Sequence, residues 1–124
     1  MTATVIDGKA SAAKLREKIA AYTAELKAKH GIQPGLATVL VGDDPASRVY
    51  IRNKARACEQ AGVASIHHDL PASASEQDVL NLVERLNNDP KVHGTIVQLP
   101  LPRHLNAQCV SQAIAYEKDV DGFS

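Results

Sequence analysis

The 124 residues suffice for one ordinary domain, and folding at that size buries roughly two-thirds of the unfolded chain's surface, so a core can form without disulfide or metal staples. At 44% hydrophobic and 23% charged residues, with 7 Gly and 6 Pro, the composition is that of a soluble globular chain without repeats or low-complexity tracts. Lys and Arg number 14 against 14 Asp and Glu, so no positive excess draws a phosphate backbone or an anionic membrane, which argues against both as partners.

The two cysteines, Cys58 and Cys109, fall in helical patterns with no Cys-x-x-Cys or Cys/His ligand spacing around them. They read as small packing residues of a protein from a reducing compartment, and no metal site is expected. The first residues lack a basic stretch followed by an apolar run, and nowhere do ~18 apolar residues follow one another, so a cytoplasmic location is expected.

In chain order, Ala12, Leu15, Ile19, Tyr22 and Leu26 recur at spacings of three and four, which predicts an amphipathic helix over residues 8–30 with Gly31 as its left-handed stop. Residues 36–41 form a nearly continuous apolar run ended by Gly42, as for a strand covered on both faces. Asp44 as N-cap and Pro45 in the first helical position then predict a helix to about residue 61, before Gly62. A second strand is expected over residues 64–70, followed by a helix from Ser75 with Asp78 in capping-box spacing and Val79, Leu80, Leu82, Val83 and Leu86 on its buried face. Pro90 marks its exit, residues 94–99 read as a third strand running into Pro100, Leu101 and Pro102, and a shorter helix is expected over residues 106–115. Strands alternating with helices predict an α/β fold, a three-layer α/β/α domain around a mostly parallel sheet.

Functional groups in such a sheet gather beyond the carboxyl ends of its strands. After the first strand, Ser47, Tyr50 and Lys54 follow at offsets of three and four and so share one helix face. After the third, Gln98 stands at the tip of a buried apolar strand, where an uncharged amide must find hydrogen-bond partners or cost stability. A Tyr, a Lys and a Gln can thus converge on one pocket. The same spacing also describes a half-buried ring beside a solvated ammonium. Tyr50 and Lys54 further form the Y-x-x-x-K pair of short-chain dehydrogenases, but those enzymes open with a Gly-rich turn, and here no G-x-G-x-x-G occurs.

Three blocks, VGDDPASRVYIRNKARACEQAG (41–62), GTIVQLPLP (94–102) and KDVDGF (118–123), together with an opening IDGK (6–9), resemble in order the signatures of the methylenetetrahydrofolate dehydrogenase/cyclohydrolase family, and the resemblance extends over essentially the whole chain. It implies that residues 1–124 form the folate-binding catalytic domain, with a Rossmann-type NADP-binding domain downstream and absent from this chain. The implied activities are oxidation of methylenetetrahydrofolate to the methenyl form with NADP and hydrolysis to formyltetrahydrofolate, in the one-carbon metabolism that serves purine biosynthesis. The fragment is expected to bind the folate and to lack hydride transfer, so a folate-binding module stands beside the enzyme reading.

By motif position the resemblance makes Lys54 the main catalytic residue, with Tyr50 lining the pocket over the pterin and aminobenzoate and Gln98 holding and tuning the lysine. It assigns Asp121 to the amino-pyrimidine edge of the pterin and places Ser47, Leu99 and Pro100 by the substrate, while Asp119 is read as structural. A methenyl cation beside an ammonium repels it, so the lysine's pKa is expected to fall toward about 7 to 8, where a neutral amine can assist water. The Leu99-Pro100 bond is a candidate for the cis form. Arg48, Arg52 and Arg56 make a stripe that suits either the glutamate tail of folates or, as the plainer reading, solvent. His67 and His68, adjacent on a strand, point to opposite sides and receive no role. Tyr116 and Ser124 stand where the family commonly has Pro and His. Complete enzymes of the family are homodimers held largely through the downstream domain, so a monomer is compatible with this fragment.

Overall fold

A computed structural model of the chain describes residues 33–115 and 118, together with residues 17, 20, 21, 23–25, 27–29 and 31. The described residues of 17–29 are helical, and Gly31, at φ 68°, closes the stretch by donating its N–H to the Lys27 carbonyl at 2.8 Å. The apolar stripe expected at Ala12, Leu15, Ile19, Tyr22 and Leu26 lies outside the described residues. The chain continues as β1 (Gly35–Val41), α1 (Pro45–Ala61), β2 (Ala64–Leu70), α2 (Glu76–Asn87), β3 (Gly94–Val97) and α3 (Ala107–Ala113).

The three strands form a parallel sheet in the order β2-β1-β3. Gly35 pairs with Ala64 and Val41 with Leu70 on one side of β1, and Leu36 pairs with Gly94 and Val39 with Val97 on the other. Gly35 and His93 pin the start of the β1–β3 register: the Gly35 carbonyl accepts from the His93 N–H at 2.8 Å, and the Gly35 N–H donates to His93 Nδ1 at 3.0 Å.

Burial of every residue of β1 follows from cover on both faces. Because side chains alternate along a strand, Ala37, Val39 and Val41 face one way, with Val79, Leu82, Val83 and Leu86 of α2 and Val110 of α3. Leu36 faces the other way and packs with Ile96 of β3 and with Ala57 and Cys58 of α1. The expected three-layer α/β/α arrangement is therefore present. Only β2, at the edge of the described sheet, shows the alternation of exposed and half-buried positions.

The helix starts follow local chemistry. Asp44 accepts from the Ser47 N–H at 3.0 Å with Pro45 beside it, and Ser75 and Asp78 form a reciprocal capping box. Gly62, at φ 76°, ends α1 in the left-handed conformation.

Three expectations need correction. Cys58 is buried, but Cys109 is exposed: α3 turns Val110 and Ser111 inward, and its neighbouring position faces out. Leu80 is only partly buried, because it flanks the stripe that Val79, Leu82, Val83 and Leu86 present to the sheet. The third strand ends at Val97 rather than Leu99; the Gln98 N–H still reaches the Val39 carbonyl at 2.9 Å, and the cis Leu99-Pro100 bond then takes the chain out of the ladder.

Candidate functional site

β1 and β3 lie side by side, and both deliver their carboxyl ends to one edge of the sheet. From there the chain leaves β1 into α1, on one face, and β3 toward α3, on the other. Departures to opposite faces from neighbouring parallel strands leave a crevice between them, the usual ligand position in open α/β sheets.

Strand alternation aims Gln98 at α1. Ile96 packs against Ala57 and Cys58, so Gln98, two residues farther on, points to the same side. Lys54, one turn before Cys58, reaches toward it from the helix. Lys54 Nζ donates to Gln98 Oε1 at 2.7 Å, while Gln98 Nε2 donates to the Leu99 carbonyl at 3.1 Å. Lys54 is 2% exposed and Gln98 6%, an unusual depth for a lysine side chain.

Tyr50 lies one turn before Lys54 on the same helix and is half-buried. Ser47, one turn earlier still, is fully buried, and its hydroxyl lies 3.5 Å from the Leu99 carbonyl, at the limit of a hydrogen bond. Ser47 and Lys54 of α1 thus reach the segment that follows β3, with Tyr50 between them on the helix; in that segment Leu99 is half-buried and Pro100 exposed across a cis bond. Asp121, with Asp119, Tyr116 and Ser124, lies outside the described residues.

The arginine stripe divides. Arg48 pairs with Asp43 and stands 3.7 Å from Asp69, and the hydrogen bond it donates to Asp43, aided by the charges of Asp43 and Asp69, holds its guanidinium above the ordinary value. Arg52 and Arg56 are exposed. His67 is tied to Thr38 Oγ1 at 2.8 Å and to Asp69 Oδ1 at 3.1 Å, which accounts for it within the sheet edge. Among the described residues no cluster of His, Cys, Asp or Glu suits a metal ion. Burial, with a smaller push from Glu59, raises the Cys58 thiol to about 11.

One feature has no counterpart in the sequence patterns. Asn87, the last residue of α2, donates to the Ala113 carbonyl and accepts from the Ala115 N–H, both at 2.8 Å. Lys118 then returns its ammonium to the same helix end, donating to the carbonyls of Leu86, Asn87 and Asp89 at 3.0, 2.7 and 3.0 Å. The available signal is a lysine opening the last sequence block, which spacing alone does not connect to α2.

The family model for the tetrahydrofolate dehydrogenase/cyclohydrolase catalytic domain matches residues 6–121. "Bifunctional protein FolD 1/3" of Ruegeria pomeroyi is 58% identical over 123 residues, covering 99% of this chain and 42% of that protein. The crystal structure of the bifunctional FolD methylenetetrahydrofolate dehydrogenase/cyclohydrolase of Campylobacter jejuni superposes with a TM-score of 0.75 at 43% identity, over 95% of this chain and 42% of that one. The Trypanosoma brucei N5,N10-methylenetetrahydrofolate dehydrogenase-cyclohydrolase, solved with NADP cofactor and an inhibitor, gives a TM-score of 0.72 at 33% identity, over 94% of this chain and 40% of that one. The chain thus spans about two-fifths of the length of the relatives it matches.

Proposed function

The chain belongs to the tetrahydrofolate dehydrogenase/cyclohydrolase family, matching its catalytic domain over residues 6–121, and on that premise we propose that it binds a tetrahydrofolate derivative in the crevice between β1 and β3. In this reading residues 1–124 are the folate-binding catalytic domain, the pterin and aminobenzoate lie over Tyr50, and Ser47, Leu99 and Pro100 line the site. Asp121 takes the amino-pyrimidine edge, whose neighbouring N–H donors suit a two-oxygen acceptor. The observation that carries the reading is the buried Lys54 Nζ, 2.7 Å from Gln98 Oε1 at the shared edge of two strands.

The proposed chemistry follows from that pair. Water adds to the methenyl carbon, Lys54 as neutral amine accepts the proton released, and cleavage of one ring C–N bond leaves formyltetrahydrofolate. The net change is gain of one water and loss of one proton. Gln98 fixes the amine through an uncharged acceptor, which does not oppose the approach of a cationic substrate as a second ammonium would.

The complete enzyme's other reaction needs a dinucleotide, which accepts the hydride of methylenetetrahydrofolate. This chain's residues do not fit one: no G-x-G-x-x-G occurs, and β1 exits into Gly42-Asp43-Asp44, two exposed carboxylates where a pyrophosphate needs N–H donors and positive surroundings. NADP therefore belongs, in this proposal, to a separate Rossmann-type domain of the complete enzyme. The complete protein is read as a cytoplasmic homodimer of one-carbon metabolism, purine biosynthesis among its uses, with neither nucleic acid nor membrane as partner. No helix among the described residues is long and apolar enough to cross a membrane.

The test follows hydrolysis of methenyltetrahydrofolate by its absorbance, with the unaltered chain and with Lys54→Ala, beside calorimetric binding of 5-formyltetrahydrofolate. Turnover above the uncatalysed rate is expected, reduced roughly 100-fold or more in the variant while binding persists. Binding with only the uncatalysed rate would make the chain a folate-binding module, and no binding would remove the folate reading. Tight binding of NADP would reopen the short-chain-dehydrogenase alternative.

A further inference from the structure

At about 100° per residue, Ser47, Ile51, Lys54 and Cys58 make one buried line along α1, with Arg48 on one flank of it and Tyr50 on the other. Arg48 meets Asp69 of β2, so its flank lies toward β2 and the Tyr50 flank toward β3, on the side of the crevice. The residues that α1 adds to the apolar clusters, Ala57, Cys58 and Ala61, all stand in its second half. Its first turns, which carry Ser47 and Tyr50, rest largely on polar contacts: the Asp44 cap, Ser47 beside the Leu99 carbonyl, and Arg48.

Arg48 supplies the contact on the β2 side. Its bond to Asp43, five residues back, is local and orients the guanidinium, whereas Asp69, 3.7 Å away, belongs to β2 and links the helix to the sheet. Asp69 is itself braced. His67 Nε2 lies 3.1 Å from Oδ1, the same oxygen that Arg48 approaches, and His67 Nδ1 lies 2.8 Å from the hydroxyl of Thr38, buried on β1. A line of side chains thus runs from the interior of β1 through β2 to the first turn of α1.

We propose that Arg48 is a positioning residue for folate binding, holding the first turns of α1 against β2 while the ligand occupies the opposite flank. This inference rests on the proposed folate site and adds to it a residue that does not touch the substrate. A ligand seated between Tyr50 and the end of β3 presses α1 toward β2, and the Arg48–Asp69 pair, backed by His67 and Thr38, resists that shift. The contribution is modest, because both partners are about half exposed and exposed ion pairs are individually weak.

A double-mutant cycle on this chain separates positioning from general stability, since a stability loss alone leaves the affinity of the folded chain unmoved. Affinity is measured by calorimetry for the unaltered chain, Arg48→Met, Asp69→Asn and the double variant, with folding followed by far-UV circular dichroism. Two ligands are used: 5-formyltetrahydrofolate and its uncharged analogue that ends in an aminobenzamide, without glutamate. Each single change is expected to weaken binding of both ligands roughly three- to fivefold, and Arg48→Met to add little in the Asp69→Asn background.

Unchanged affinity in Arg48→Met, or an undiminished loss in the Asp69→Asn background, would overturn the inference while leaving the folate reading in place. A loss seen with 5-formyltetrahydrofolate but absent with the aminobenzamide would overturn it too, because Arg48 would then meet the glutamate directly. No binding of either ligand by the unaltered chain would instead remove the reading beneath it and the inference with it. If Arg48→Met does not fold, Arg48→Gln takes its place in the cycle, where a loss that vanishes in the Asp69→Asn background supports positioning and an unchanged affinity overturns it.

Discussion

Replacing Gln98 by Glu exchanges one NH2 for one oxygen at nearly constant shape, and so isolates charge as the variable beside Lys54. The oxygen that accepts from the lysine now lies at 2.7 Å and carries negative charge, while the bond from Nε2 to the Leu99 carbonyl is given up. At an effective dielectric constant of ~20, unit charges at that separation attract by about 6 kcal/mol. Burying the new carboxylate offsets much of this, leaving about 1.4 to 4 kcal/mol in favour of the ammonium, equivalent to raising the lysine's titration midpoint by roughly one to three pH units. The assay is the titration of the Lys54 Cε resonance in chain labelled with [13Cε]lysine, assigned by its loss in Lys54→Ala. If Lys54 acts as a neutral amine, hydrolysis of methenyltetrahydrofolate at neutral pH is expected to fall roughly tenfold or more, with activity recovered toward alkaline pH. A midpoint that stays in place or moves down in Gln98→Glu would refute the reasoning, because it would mean the two side chains are not in contact in solution.

Gly35→Ala is expected to destabilise the chain by about 1 to 3 kcal/mol in urea unfolding, since a Cβ there runs into the Lys91 carbonyl oxygen at the start of the β1–β3 register. An unchanged midpoint would show that the loop before β3 gives way freely. Toward a thiol reagent at neutral pH, exposed Cys109 is expected to react promptly and buried Cys58 only on unfolding, so a Cys109→Ser variant in native buffer is expected to remain unlabelled. Cys58 also sets an alkaline limit: its folded value of about 11 exceeds the ordinary 9.0, so between those values the unfolded chain loses a proton that the folded chain retains, and stability falls as pH rises. The loss approaches about 2 to 3 kcal/mol, and Cys58→Ala is expected to flatten the decline of urea midpoints over that range.

Much of the frame is legible in local patterns. A short, nearly continuous apolar run rich in β-branched residues and closed by Gly42 reads as a strand covered on both faces, and the Asp44-Pro45 and Ser75–Asp78 signals place two helix starts by chemistry that acts within one turn. The Lys54–Gln98 contact is approachable for the same reason, since helix offsets and strand alternation each fix a direction, and parallel strands set the spacing between them. What local pattern does not determine is which turn of a short helix faces inward, which is why Cys109 reads as a packing residue although α3 buries Val110 and Ser111 instead. Leu80 illustrates the same limit at the margin of a stripe. Contacts between segments far apart in sequence, such as Lys118 on the end of α2, follow from the packing of whole elements and leave no periodic trace. The share of the arginine stripe taken by Asp43 and Asp69 is of that kind too: Asp69 comes from a neighbouring strand.

The central claim is that the ends of β1 and β3 form a folate site around one buried amine. A crystal structure of this chain soaked with 5-formyltetrahydrofolate tests it most directly. The account predicts the pterin and aminobenzoate against Tyr50, with Lys54 Nζ in hydrogen-bond reach of the ligand while Gln98 still holds it. Ligand bound at another face, with the lysine and glutamine unchanged and untouched, would contradict it.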